Sequence, residues 1–230
     1  EQVLLDLNPM ADGKGYFSVG DMQVSPDNRL LAWAEDGVGR RQYTIRFKDL
    51  SSGQILDDVI EGASPNVVWA DDNKTLFYVE NDPDTLLTVR VKKHVLGTPA
   101  SSDVVVYQED DDSFYMGIGR TTDDRFITIG VESTVSSELR YAPAANPETF
   151  TVLAPRARDV EYDADHHEGR WVIRTNAAGA TNFKLVTAPS DATSSAQWSD
   201  LVAHDAAALA EGFDLVDGSM GLAERAAAVE

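Results

Sequence analysis

Five segments of this sequence repeat one plan, in which a short strand runs into an Asp- or Gly-rich turn and a strongly apolar strand follows, usually ending in an acid. The five apolar strands end at Glu35, Glu80, Glu132, Asn176 and Glu224, so successive repeats lie 44 to 52 residues apart. Repeats of about 40 to 50 residues are typical of the four-stranded blades of a β-propeller. The sequence therefore predicts an all-β chain made of propeller blades.

The turns of these repeats share one chemistry, because their residues tolerate a positive φ or hydrogen-bond their own backbone, as tight hairpins require. The turn pairs are Asp27 and Asn28, Asp72 and Asn73, Asp123 and Asp124, Glu168 and Gly169, and Asp217 and Gly218. Each pair is predicted to join the first two strands of a blade. Alternation of apolar and polar residues over 43–48 then predicts a third strand with one buried face, and third strands are also predicted at 85–92, 137–142 and 182–187.

The fold class that follows is a β-propeller segment of four-stranded antiparallel blades, with about four complete blades plus strands of neighbouring ones. Blades are predicted at residues 22–60, 64–107, 114–153 and 160–204, with the start of the next blade at 211–226 and an outer strand of a preceding blade at 1–7. An open arc of blades exposes apolar surface at both ends, through which self-association is expected. A ring in which residues 1–7 complete the fifth blade is the alternative.

Charge and composition exclude several classes of partner. The formal net charge of −20 argues against nucleic acid or an anionic membrane as a partner, and is compatible with cationic ones. Without cysteine there is neither a disulfide framework nor a thiolate metal site. No run approaches the roughly 20 apolar residues that span a bilayer, and the first residues lack the pattern of a signal peptide. A cytoplasmic protein is expected.

Longer stretches of the chain resemble the oligopeptidase B branch of the prolyl oligopeptidase family. They are residues 35–36, 39–50 (GRRQYTIRFKDL), 85–94 and 96–115, with shorter matches at 161–162, 165–166, 175–176, 182–185 and 211–213. The resemblance implies a propeller that covers a C-terminal α/β-hydrolase domain, whose Ser, Asp and His cut short peptides after Arg or Lys. That domain is absent from these residues. The chain is therefore expected to restrict substrates, with its own hydrolase domain as partner and short basic peptides as substrates of the parent enzyme.

The residues offer no catalytic machinery of their own. Residues 15–20 (GYFSVG) come closest to the G-x-S-x-G elbow of serine hydrolases, but one residue too many precedes Ser18 and no helical pattern follows. Adjacent His166 and His167 on a strand point to opposite faces, so no metal site is predicted, and no cofactor site is either. His94 is interpreted as a surface or blade-contact residue, and the acidic run 109–112 as a solvated loop or an attractor of basic peptides.

Arg40 and Arg41 are the candidate site residues, at the turn before a third strand. Arginine forms bidentate pairs with carboxylates that lysine cannot reproduce. The resemblance places this segment on the side of the propeller toward the catalytic domain, so one arginine is proposed to bridge the domains or contact substrate. The alternative is a solvated hairpin tip.

Two other function classes remain open. A stand-alone propeller scaffold would recruit partners through a closed ring. A five-bladed glycosidase-like enzyme would need acids clustered at the inner ends of the first strands, where residues 22–25 and 66–69 are mostly neutral.

Overall fold

The computed structural model describes residues 3–226, which form one short α-helix, three 3-10 turns and seventeen strands. The helix is α1 (Leu7–Ala11). The strands are β1 (Ser18–Val24), β2 (Leu30–Asp36), β3 (Tyr43–Asp49), β4 (Ile55–Trp69), β5 (Thr75–Asn81), β6 (Thr88–Val95), β7 (Val104–Gln108), β8 (Tyr115–Arg120), β9 (Phe126–Glu132), β10 (Ser137–Pro143), β11 (Thr151–Val152), β12 (Tyr162–His167), β13 (Arg170–Thr175), β14 (Lys184–Pro189), β15 (Ser199–Val202), β16 (Ala208–Val216) and β17 (Ser219–Ala226). The 3-10 turns are Ala100–Ser102, Ala177–Gly179 and Ser195–Gln197. No helix in the described range is long and apolar enough to cross a membrane.

The strands pair antiparallel with their neighbours in the chain. One sheet runs β1 to β7, two four-stranded sheets hold β8 to β11 and β12 to β15, and β16 pairs with β17. Strand β4 pairs with β3 through its first half and with β5 through its second, which makes a seven-stranded sheet out of two meanders. The predictions of an all-β fold and of four-stranded antiparallel sheets are confirmed.

The predicted turns lie where they were expected, between the first two strands of each meander. Backbone φ is positive at Asn28 (61°), Asn73 (58°), Asp124 (58°), Gly169 (79°) and Gly218 (69°). Such angles are uncommon for side chains other than Asn, Asp and Gly, so the local sequence specifies these hairpins.

By their internal contacts the residues divide into two compact units, one of residues 1–119 and 144–149 and the other of 120–143 and 150–230. In the first unit, Ile45 and Phe47 of β3 are fully buried, whereas the intervening Arg46 reaches Glu35 on the partly exposed face. The ring of Phe47 meets Trp69 edge-on at 5.8 Å between centroids. Strand alternation thus builds this core, as its period of two predicts.

The second unit has an aromatic core of its own. Trp171 of β13 has no exposed surface, and its ring lies 5.3 Å from that of Phe126 and 5.0 Å from that of Tyr141. Trp33, Trp69 and Trp171 are all buried, so these three large side chains are packing residues.

Three element boundaries differ from the sequence prediction. Residues 3–6 form no strand and α1 begins at Leu7, with the side chain of Asp6 accepting from the N–H of Asn8; residues 1 and 2 of the predicted strand 1–7 lie outside the described part. Strand β6 starts at Thr88 instead of residue 85, and β14 at Lys184 instead of residue 182. In both cases a residue in the left-handed region, Leu86 or Phe183, turns the chain just before the strand.

Candidate functional site

Arg40 and Arg41 lie in the loop of residues 37–42 that joins β2 to β3, which we call the arginine loop. Both side chains are exposed, and so is Val38 between the strand and the arginines. The structure therefore presents the two predicted site residues together, at the tip of one hairpin.

Asp36, the last residue of β2, holds this loop by its backbone. Its Oδ1 accepts hydrogen bonds from the N–H groups of Val38 (2.8 Å) and Gly39 (2.9 Å), and its Oδ2 accepts one from Arg41 (2.8 Å). Burial alone raises the pKa of Asp36, but these N–H groups and that of Arg40 outweigh it, so the pKa lies below its ordinary value. A buried, ionised carboxylate thus fixes the exposed loop.

Gly39 and Arg41 set the path of the arginine loop. Gly39 has a φ of 80°, and a Cβ at this position would lie 3.3 Å from ring atoms of Tyr16. Arg41 has a φ of 57°, which is uncommon for a residue with a long side chain. An unusual backbone at an exposed arginine is the kind of local strain that often accompanies function.

Arg40 and Arg41 differ from other arginines of the same sheet in their charge partners. Arg46 pairs with Glu35 at 2.8 Å, and Arg90 pairs with Glu80 at 2.8 Å. No ion pair within 4.0 Å joins either loop arginine to a carboxylate among residues 3–226. Two adjacent guanidinium groups therefore remain available to a carboxylate that this part of the chain does not supply.

Ser18, the serine nearest to a nucleophile motif, is the first residue of β1 and pairs with Asp36 across the sheet. A nucleophile elbow needs a sharp turn from a strand into a helix, whereas residues 18–24 continue as a strand. Residues 15–17 thus lead as a loop into strand β1, and Ser18 is not a nucleophile.

His166 belongs to a buried Asp–His–Ser arrangement that the sequence reasoning missed. Its Nδ1 lies 2.7 Å from Oδ2 of Asp123, and its Nε2 lies 2.7 Å from Oγ of Ser190. The imidazole has no exposed surface, and Oγ of Ser190 also lies 2.7 Å from the carbonyl oxygen of Gly169. Both ring nitrogens have partners, and no substrate can reach the buried imidazole. The role of the arrangement is therefore to tie three chain segments together.

His94 is fully buried, so of its two sequence interpretations the surface residue is wrong and the blade-contact residue stands, since it contacts Asp58 of the preceding predicted blade. Its Nδ1 lies 2.7 Å from Oδ1 of Asp103 and its Nε2 3.1 Å from Oδ1 of Asp58. The hydroxyl of Tyr78 donates to the other oxygen of Asp103 at 2.9 Å, and burial raises the pKa of this phenol. The four side chains join β4, β5, β6 and the segment after Ala100–Ser102 into one polar network.

The acidic run 109–112 follows β7 as an exposed turn. The carboxylate of Glu109 accepts from the hydroxyl of Tyr107 at 2.7 Å, and that of Asp111 accepts from the N–H and hydroxyl of Ser113. These bonds account for the local shape of the run, and leave Asp110 and Asp112 exposed to solvent.

A cleft of about 200 Å³ opens in the second unit. Its lining includes Glu132, Glu161, Asp163, Arg174 and Phe183. Arg174 donates to Asp163 at 2.8 Å, and its guanidinium lies 4.3 Å from the centre of the Phe183 ring. Burial raises the pKa of Asp163, against the lowering effect of Arg174. No sequence pattern singled out this cleft, because its walls come from four separated strands.

Comparison with known proteins gives these observations a family context. The family model described as "Prolyl oligopeptidase, N-terminal beta-propeller domain" matches residues 1–230. The chain is 65% identical to dipeptidyl aminopeptidase BI of Pseudoxanthomonas mexicana, in an alignment that covers 100% of this chain and 32% of that protein. It is 32% identical to protease 2 of Moraxella lacunata, over 82% of the chain and 28% of that protein.

Among solved structures, oligopeptidase B from Leishmania major superposes with a TM-score of 0.93 and 32% sequence identity, over 98% of this chain and 32% of that one. The predicted β-propeller fold is confirmed. The chain spans about a third of the length of these relatives.

Proposed function

The chain belongs to the prolyl oligopeptidase family, as part of its N-terminal β-propeller domain, and we propose that it restricts access to a serine oligopeptidase that cuts short peptides after Arg or Lys. The observation that carries the proposal is the similarity to protease 2 and oligopeptidase B along nearly the whole chain. The parent enzyme would supply a C-terminal α/β-hydrolase domain. There a serine would attack the peptide carbonyl, and water would hydrolyse the acyl-enzyme.

In this proposal the propeller contributes shape and charge, and the hydrolase domain contributes chemistry. A propeller over an active site admits short or unfolded peptides and excludes folded proteins by size. The net charge of −20 raises the local concentration of cationic peptides, with a reach of about 8 Å at physiological salt.

Arg40 and Arg41 would pair with a carboxylate in this assembly, borne either by the hydrolase domain or by the peptide. The structure supports this role of the two arginines. Both side chains are exposed, both lack an ion pair within the described part, and both lie on a loop that Asp36 holds. A bidentate arginine–carboxylate pair gives both orientation and affinity.

The test uses the full-length protein and two series of fluorogenic peptides. One series varies the residue before the cleaved bond among Arg, Lys, Ala and Pro, and the other keeps Arg and lengthens the peptide. We expect kcat/KM to be highest for Arg and Lys, and to fall steeply once the peptide exceeds the size that the propeller admits. Equal cleavage of all four residues would overturn the specificity, and unimpeded cleavage of folded proteins would overturn the restriction.

A second candidate activity is the release of dipeptides from free amino termini, which the 65% identity to dipeptidyl aminopeptidase BI favours. N-terminal acetylation of the same Arg peptides separates the two. An endopeptidase cuts the acetylated peptides, whereas an enzyme that reads the terminal ammonium loses most of its activity on them.

A further inference from the structure

We infer that Asp36 is a positioning residue, which acts through Arg40 and Arg41 to make their contact with a carboxylate productive. The inference rests on the proposed contact of the two arginines and adds the residue that controls it. Asp36 touches neither the solvent-facing guanidinium groups nor any substrate, since it is 1% exposed and its oxygens face backbone N–H groups.

One carboxylate accepts hydrogen bonds from three backbone N–H groups of the arginine loop. Val38, Gly39 and Arg41 all donate to it, at 2.8 to 2.9 Å. Hydrogen bonds to a charged acceptor are stronger than neutral ones, and a buried group that loses its partner carries a desolvation cost. With Asn at position 36, one oxygen becomes an NH₂ group that cannot accept, so at least one of these loop N–H groups loses its bond.

A loop that is already ordered loses less conformational entropy when it binds a carboxylate. An arginine side chain already loses much rotational freedom when it pairs, and a mobile backbone beneath it would add to that loss. Asp36 fixes the backbone before the carboxylate arrives. Tyr16, packed against Gly39, limits movement from the other side.

The loop of residues 82–87 between β5 and β6 provides a matched comparison. There Asp82 accepts from the N–H groups of Asp84 (3.0 Å) and Thr85 (2.8 Å), and Leu86 has a φ of 62°. The architecture is similar, with a carboxylate near the end of the second strand and a left-handed residue before the third, but Asp82 is only half-buried and accepts from two N–H groups instead of three. This loop contains no Arg or Lys. A change at Asp82 therefore tests whether activity depends on the order of such loops in general, whereas a change at Asp36 also tests the position of the arginines.

The experiment measures kcat and KM of the full-length protein on a fluorogenic peptide with Arg before the cleaved bond. The variants are Asp36→Asn, Asp82→Asn, the double variant Arg40→Ala/Arg41→Ala, and the triple variant that adds Asp36→Asn to it. We expect Asp36→Asn to lower kcat/KM about tenfold, with the same division between kcat and KM as the double arginine variant. Asp82→Asn should leave kcat/KM unchanged within about twofold, and the triple variant should match the double one.

Each contrary result has a distinct meaning. If the arginine variant loses activity and Asp36→Asn does not, or if the two losses multiply in the triple variant, the positioning role is wrong while the arginine contact stands. If the arginine variant is fully active, the proposed contact itself is wrong, and with it the inference. If Asp36→Asn does not fold, Gly39→Ala replaces it, since that change strains the loop at a φ of 80° and presses on Tyr16 without touching the buried charge. Full activity of Gly39→Ala with a displaced loop, seen as faster amide exchange of residues 38–41, would overturn the inference.

Discussion

The imidazole Nδ1 of His166 lies 2.7 Å from Oδ2 of Asp123, although 43 residues separate them in the chain. Asp123 belongs to the turn before β9 and His166 to β12, so the bond ties a turn to a strand one repeat away. Thr122 and Asp165 add two more bonds over the same separation, at 2.9 and 2.6 Å. Polar contacts thus join equivalent positions of two successive sequence repeats.

Acid should weaken the second unit through His166. Burial lowers the pKa of His166 below its ordinary 6.5, despite the opposing effect of Asp123. At a pH between the folded and unfolded pKa values, the unfolded chain binds a proton that the folded chain does not. The contribution of His166 to the free energy of unfolding is therefore fully present above about pH 6.5. It falls as the pH falls below that value, by at most about 1.4 kcal/mol per pH unit. Thermal unfolding of the full-length protein between pH 7.5 and 5.5, with His166→Gln alongside, measures this. A melting temperature that falls as much in the variant as in the wild type would contradict the assignment.

The core of the second unit should depend on Trp171. Replacement by Ala removes a fully buried indole that contacts Phe126, Tyr141 and His166, and should cost about 3–5 kcal/mol of unfolding free energy. Denaturant unfolding measures the loss. Tyr115→Ala is the control, because this tyrosine is 61% exposed and its removal should change stability by less than about 0.5 kcal/mol. Equal effects of the two changes would show that Trp171 is not a core residue.

Local chemistry explains what could be predicted from the sequence. Asn28 and Asn73 specify their turns by their own backbone preference, so the hairpins were foreseeable. Strand β4 was predicted as parts of two blades, one ending at residue 60 and the next beginning at residue 64. The pairing with β5 shifts register between Ala63 and Val67, and the chain continues through that irregularity.

The polar networks could not be predicted, because their members meet only in the folded chain. Asp58 lies 36 residues before His94, and Ser190 lies 24 residues after His166. A histidine alone in a strand gives no sign of such partners. From the sequence the apolar strand was predicted to end at Glu35, and the hydrogen bond of Asp36 with Arg41 became apparent only from the loop geometry.

The carboxyl of Asp49 should titrate near pH 2. The hydroxyl of Ser51 donates to it at 2.6 Å and the N–H of Ser52 at 2.8 Å, and these bonds lower the pKa of Asp49 to about 2. Ser51→Ala should raise that pKa toward 3.8, and Ser52→Ala should raise it less, because the Ser51 hydroxyl has the largest effect. Since the folded pKa is lowered, the associated stability is present above about pH 3.8 and is lost as the pH falls toward 2. Carboxyl ¹³C NMR titration distinguishes the variants, and a larger shift for Ser52→Ala would contradict the order.

Gly20 should tolerate no side chain, although it lies inside strand β1. A Cβ built there would lie 2.6 Å from Cβ of Pro65 and 2.6 Å from Cε1 of Tyr43, closer than real contacts allow. Gly20→Ala must therefore displace β4 or the tyrosine ring, at a cost of about 1–3 kcal/mol. Gly117 of β8 is the matched control, because a Cβ there meets nothing within 4 Å. Gly117→Ala should be neutral or slightly stabilising, since Ala loses less conformational freedom on folding than Gly. Thermal unfolding of the full-length protein with either change measures the difference in stability. If Gly20→Ala were as stable as Gly117→Ala, β1 and β4 would not approach as closely as the structure places them.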